Sequence, residues 1–176
     1  MKNFPFIHEG EELWYSRSLA VSLVVLREHP IYGLQVLACL RGQGCEFNKG
    51  LWNIPGGFID FDETAEQAST REAFEETGIV IPPEDINLCR LSTKPIGQRQ
   101  TMCAQYYVMV DYLQSAEWEL NAEHSEPGEV EDVTWIPIDR LDRFEWTRGQ
   151  IEAIHLAAAK VGWHYNKKLN EWFKNK

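Results

Sequence analysis

Apolar and β-branched residues run from Ser18 to Arg27 (SLAVSLVVLR) without a helical period, which predicts a buried strand. His29-Pro30 and Gly33 mark a turn, and Leu34 to Arg41 (LQVLACLR) read as a second strand, so the two form a hairpin. Residues 42–50 (GQGCEFNKG) are a glycine-punctuated loop. After the short apolar piece Leu51-Trp52-Asn53-Ile54, Pro55-Gly56-Gly57 is a strong break. Glu63 to Thr77 lacks Gly and Pro and is rich in Ala, Glu, Gln and Arg, a helical composition with Gly78 placed as its C-terminal cap. Asp62 and Glu63 put acid at its first turn, where the helix dipole favours it.

Further along, Ile86 to Leu91 and Met102 to Leu113 read as strands, and residues 114–129 as a polar, acidic loop carrying Pro127-Gly128. Val130 to Ile138 is another strand. A last helix spans Gln150 to Lys160, with Ile151, Ile154, His155 and Ala158 on one face. The order strands, helix, strands, helix predicts an α/β or α+β sandwich with a mixed sheet. No repeat or linker divides the chain. Residues 1–176 therefore read as a single domain, with a core over about 18–160 and an aromatic tail over 161–176.

Composition narrows the function. A chain of 176 residues, 44% hydrophobic and 25% charged, needs no disulfide or metal staple to fold. Its 27 acids against 17 bases give a net charge of −10, which repels nucleic acid and anionic membranes alike; neither is an expected partner. A small anionic ligand stays open, provided a cation or arginines mediate its approach. Cys39, Cys45, Cys89 and Cys103 stand far apart, without zinc-ligand spacing, and read as free thiols in a reducing, cytoplasmic setting. The N-terminus is acidic without an apolar core, and the longest apolar stretch, Leu19 to Leu26, is far below the ~20 residues of a membrane span.

The chemistry concentrates in residues 56–79. Glu72, Glu75 and Glu76 stand at i, i+3 and i+4, on one face of the predicted helix, with Ala65 and Ala68 leaving room beside them. Like charges this close cost about 0.2–0.5 kcal/mol per pair unless a cation joins them, and hard divalent ions take such oxygen ligands. Gly56-Gly57 lets the backbone approach an ion or phosphate closely. A solvated acidic face is the alternative on the helix alone.

The spacing of the whole segment goes further. Residues 57–79 follow G-x5-E-x7-R-E-U-x-E-E-x-G-U, with Gly57, Glu63, Arg71, Glu72, Glu75, Glu76 and Gly78 at the fixed positions and Ala73 where a larger aliphatic residue is usual. This resembles the signature of the Nudix hydrolases. A chance match of seven fixed positions is on the order of one in a million. The resemblance implies a Nudix-type αβα sandwich with a central mixed sheet. It also implies an Mg²⁺- or Mn²⁺-dependent pyrophosphatase acting on a nucleoside diphosphate linked to another group. Carried across, Glu72 and Glu76 are principal metal ligands, Glu75 a further ligand or water-positioning group, and Gly56 a main-chain ligand. Glu63 and Arg71 brace the loop against the helix.

Outside the motif, such enzymes often place one more carboxylate on a distant loop. Glu129 ranks first here because it precedes a strand, with Glu126 second; His124 is an alternative base. Arg41 and Arg99 are candidate phosphate-binding residues, while Trp52 and Trp135 read as core. Packing across a homodimer interface accounts for the tail aromatics Trp163, Tyr165, Trp172 and Phe173, and packing onto the same subunit does so equally. Pro95, sixteen residues past Ile79, and the Gly-Gly-Phe-Ile-Asp start of the motif resemble ADP-ribose pyrophosphatases. A house-cleaning nucleoside triphosphate pyrophosphohydrolase is the runner-up. A Nudix-fold sensor that binds a nucleotide without cleaving it is the rival from another class.

Overall fold

The structure is a computed structural model that describes residues 4–15, 17–94 and 101–163. Pro95, Arg99 and the tail after Trp163 lie outside the described residues. The chain opens with an antiparallel hairpin of β1 (Phe4–His8) and β2 (Glu11–Tyr15), a separate two-stranded sheet. The sequence pattern does not announce it. Its turn is Glu9-Gly10, with φ of 51° and 87°, rather than Asn-Gly, and Pro5 interrupts the first strand.

The predicted hairpin follows as β3 (Leu19–His29) and β4 (Gly33–Arg41), antiparallel from Leu26↔Val36 to His29↔Gly33. Beyond Leu26 the two strands part, and β5 (Trp52–Asn53) pairs with β4 at Cys39 and Leu40. The chain after β5 then takes over the exposed edge of β3. Leu23 N–H donates to the Pro55 carbonyl (2.9 Å) and Val21 N–H to that of Gly57 (2.8 Å). This is why Gly56 is glycine: a Cβ there falls 2.3 Å from the Val21 carbonyl oxygen.

Helix α1 (Ala65–Thr77) begins two residues later than predicted. Thr64 is its N-cap and forms a reciprocal capping box with Gln67, so Glu66 is the acid of the first turn and Glu63 is free to bond elsewhere. Gly78 closes the helix in the left-handed conformation (φ 73°), donating to the Phe74 carbonyl. Strands β6 (Asn87–Ser92) and β7 (Met102–Val110) come next, with β7 parallel to β3. The predicted strand over 102–113 ends at Val110, because the Asp111 carboxylate caps the Gln114 amide and starts a short helix, α2 (Tyr112–Ala116). Strand β8 (Val130–Pro137) pairs with the free edge of β4, and α3 (Gln150–Lys160) ends the described chain.

The main sheet runs β5-β4-β3-β7-β6, with β8 on β4, and both its faces are covered. Alternation along β3 divides the core. Val21, Leu23 and Val25 meet Ala68, Ala73 and Tyr106 on the α1 face, whereas Val24 and Leu26 meet Ile154, Ala157 and Ala158 on the α3 face. This is the expected αβα sandwich on a mixed sheet. Trp52 and Trp135 are partly buried and pack against these two clusters, and Trp163 lies against the α3 face of its own chain.

Candidate active site

Arg71 organises the start of the site. Its guanidinium donates to both Glu63 carboxylate oxygens (2.7 and 3.0 Å), to the Phe58 carbonyl (3.0 Å), and through Nη1 to Glu72 Oε1 and Glu75 Oε2 (both 2.9 Å). Glu63 in turn accepts the Asp60 amide at 2.7 Å. The loop before α1 is thereby tied to the middle of the helix. The bond from Arg71 holds the Glu63 carboxyl below the usual carboxylate range.

The same geometry corrects the expectation that the three glutamates only repel one another. Arg71 neutralises Glu72 and Glu75, while Glu76 turns inward. Glu76 is 3% exposed and accepts the Gly56 amide on Oε2 at 3.1 Å; Oε1 takes no donor from the described residues. Burial, then the charges of Glu72 and Glu129, push its carboxyl well above the ordinary range, with the Gly56 bond opposing. Glu72 is raised as well, because burial outweighs the Arg71 ion pair and the charges of Glu75 and Glu129 add to it. Ala68 is not beside an open space, since it is wholly buried in the core and lets α1 approach the sheet.

Glu129, far away in sequence, is near enough for its charge to act on both Glu72 and Glu76. Glu126 is exposed, and its carbonyl accepts the Glu129 amide at 2.9 Å. His124 stacks on Phe74 with ring centroids 4.4 Å apart. Arg41 bonds the Phe47 carbonyl (3.2 Å) and lies near enough to Glu76 to oppose its raised pKa.

A cleft of about 660 Å³ opens alongside, lined by Gly56, Gly57, Phe47, Phe58, Gln105 and Arg148 among others. Nothing in the sequence marks Arg148, a loop arginine outside any motif. It reaches the cleft because Thr147 N–H donates to the Trp52 carbonyl (2.9 Å), which fastens that loop to β5. Phe58 (54% exposed) and Phe47 (46%) stand at the cleft as exposed aromatic rings.

The donor set suits a hard divalent cation. Among the described residues no group of three acids, histidines or cysteines is gathered as in a formed metal site, because Arg71 engages Glu72 and Glu75. The buried Glu76 carboxylate nevertheless feels the like charges of Glu72 and Glu129 more than the opposing Gly56 amide and Arg41, an arrangement that a cation relieves. Pro55 and Gly57 turn their carbonyls to β3, while the Gly56 amide between them turns to Glu76. At Gly57 a Cβ falls 2.4 Å from Glu72 Oε1, so only glycine leaves the carboxylate in place.

The NUDIX domain family matches residues 16–157. The chain belongs to the Nudix family. The NAD-capped RNA hydrolase NudC of Vibrio cholerae is 28% identical over 134 residues, 76% of this Nudix chain and 43% of NudC. The RNA pyrophosphohydrolase of Edwardsiella ictaluri is 32% identical over 106 residues, 51% of this chain and 56% of its own length. A MutT-like protein of Streptomyces ambofaciens is 36% identical over 69 residues, 39% of each chain. The chain thus spans less than two thirds of these relatives. Among solved structures, the NUDIX domain of Shewanella oneidensis NrtR complexed with ADP ribose superposes with a TM-score of 0.68 at 24% identity, over 84% of this chain and 90% of that one. A bifunctional NMN adenylyltransferase/ADP ribose pyrophosphatase of Francisella tularensis, complexed with AMP and a manganese ion, gives 0.60 at 21% identity, over 83% and 42%. At these identities the two structures show the Nudix fold. No helix among the described residues is long and apolar enough to cross a membrane.

Proposed function

We propose that this Nudix chain is a divalent-metal-dependent pyrophosphohydrolase that cleaves the anhydride of a nucleoside diphosphate linked to another group, ADP-ribose or a similar nucleotide sugar. The observation that carries the reading is the buried Glu76, under the charges of Glu72 and Glu129 and bonded to the amide of Gly56, which lines the cleft. Glu72, Glu76 and the Gly56 carbonyl would hold Mg²⁺ or Mn²⁺, with Glu75 joining when it leaves Arg71. When bound, the ion neutralises pyrophosphate oxygens and lowers the pKa of water. Glu129 orients the attacking water and takes its proton. Arg41 and Arg148 bind the phosphates, and the exposed rings of Phe47 and Phe58 stack on the base. Arg99 stays a candidate phosphate ligand. Glu63 and Arg71 keep the Gly56-Gly57 turn at its distance from α1.

The ligands of two structural neighbours, ADP ribose and AMP with manganese, support this substrate class. The likeness to NrtR, also solved with a 27mer DNA, favours the second reading, a sensor that binds a nucleotide without turnover. One experiment separates them. A panel of ADP-ribose, other nucleotide sugars, dinucleotides and nucleoside triphosphates is incubated with the protein and Mg²⁺ and assayed for mononucleotide products. Turnover of ADP-ribose above the triphosphates is the expected result; binding without any product refutes the hydrolase.

A further inference from the structure

The glycine-punctuated loop 42–45 has no part in the site as described so far, yet it grips the residue before β8. The β4–β8 ladder slips at its end: Leu40 pairs with Asp132 but Arg41 with Val130, leaving Glu131 as an extra residue on β8. Past that bulge the backbone contact continues. Gly42 N–H donates to the Glu129 carbonyl (2.7 Å), Gly44 N–H to the Gly128 carbonyl (2.7 Å), and Cys45 Sγ–H to the Glu129 carbonyl (3.1 Å). Glu129 N–H is bonded to the Glu126 carbonyl as well, so both backbone groups of Glu129 are fixed.

This contact tolerates no side chain. A Cβ on Gly42 falls 2.2 Å from the Gly128 carbonyl oxygen, and one on Gly44 falls 2.6 Å from that of Pro127. Both collisions are with backbone, which no rotamer relieves. Neither glycine needs a left-handed backbone, so close approach is the reason for both.

We infer that the segment Gly42–Cys45 is a clasp whose task is to position the Glu129 carboxylate against Glu72 and Glu76, with Gly42, Gly44 and Cys45 as positioning residues for the hydrolysis. The inference rests on the proposed role of Glu129. Without the clasp, Glu129 sits at the end of an exposed acidic loop, where a carboxylate samples many orientations. With it, the last residue before β8 is held to β4 as firmly as a ladder residue. A displacement on the order of 1 Å at a catalytic group costs about a hundredfold in rate.

Kinetics with a double-mutant cycle tests it, using the nucleotide that the panel shows to be cleaved fastest, with Mg²⁺ saturating. Gly44→Ala lowers kcat by about ten- to a hundredfold and leaves KM within about twofold, because the clasp touches no substrate. Adding Gly44→Ala to Glu129→Gln lowers kcat no further, because the carboxylate it would misplace has gone. Should Gly44→Ala fail to fold, Cys45 serves instead: Cys45→Ala lowers kcat severalfold, and Cys45→Ser, which keeps a donor to the Glu129 carbonyl, restores it. A lowered Glu129→Gln rate with multiplicative losses in the double variant overturns the clasp and leaves Glu129 in its role. Wild-type turnover by Glu129→Gln overturns the role of Glu129 and the clasp with it.

Discussion

The Gly56 amide donates to the Glu76 carboxylate at 3.1 Å, joining the turn that edges β3 to the buried face of α1. That one bond couples the backbone of the cleft wall to the most deeply buried acid of the site. It requires Gly56 to lie against Val21 and Ser22, and Gly57 to lie against Glu72. Gly56→Ala is therefore expected to destabilise the protein by about 1–3 kcal/mol, since its Cβ meets backbone. Gly57→Ala meets the end of a side chain instead. It should cost less stability and more turnover, because Glu72 must swing away. Thermal melts and kcat for the two variants check the contrast.

Arg71 holds four acceptor groups that come from loop and helix alike. Arg71→Lys should not replace it, because a single ammonium cannot span that fork. The ion pairs are partly exposed, so the expected loss is only about 1–2 kcal/mol, smaller than four isolated charged bonds suggest. Chemical denaturation of wild type and Arg71→Lys measures it. Turnover falls further than stability does, because Glu72 and Glu75 lose their anchor.

Tyr106 in β7 donates to Glu66 Oε1 at 2.7 Å, pinning the first turn of α1 to the sheet. The bond lowers the Glu66 carboxyl, while burial and then Glu66 push the Tyr106 hydroxyl up to about 12. Glu66, depressed on folding, contributes stability above its ordinary pKa that is lost as pH falls through the lowered value. Tyr106, raised on folding, contributes stability below its ordinary pKa near 10 that is lost as pH climbs toward 12. Tyr106→Phe should cost about 1–2 kcal/mol at neutral pH. It should also flatten the stability profile at both ends, as pH-resolved melts will show.

Phe58 and Arg148 line the cleft, and among the described residues neither side chain forms a hydrogen bond or ion pair with Glu72, Glu75 or Glu76. Phe58→Ala and Arg148→Ala should each raise KM about five- to fiftyfold with little change in kcat, the sign of lost ground-state binding. A fall in kcat at unchanged KM contradicts their placement in substrate binding. Steady-state kinetics on ADP-ribose provides the comparison.

The fold and the motif were legible because each rests on local rules. The apolar run of β3, the Gly78 cap and the intact spacing from Gly57 to Gly78 need no tertiary knowledge. The sequence does not single out Thr64 as N-cap, because Asp62 and Glu63 offer an equally good acidic start. Nor does it show Arg71 as counter-charge to Glu72 and Glu75: the helical spacing shows which glutamates share a face, but not which way a long arginine turns. Arg148 enters the cleft only because residues 145–147 pair with β5, a contact made across nearly a hundred residues. No periodicity records such a pairing.

The central claim is that Glu76 and its neighbours form a cation site rather than an acidic surface. Paired thermal melts of wild type and Glu76→Gln, with and without Mg²⁺ at matched ionic strength, test it most directly. The glutamine keeps an acceptor for the Gly56 amide and removes the buried charge. Without metal the variant should melt no lower than wild type, because a carboxyl whose pKa is raised on folding opposes the fold once ionised. With Mg²⁺ at a hundredfold excess over its dissociation constant, wild type should gain about 2.7 kcal/mol and the variant much less. Equal Mg²⁺ shifts in the two proteins, the response of general screening alone, would contradict the site.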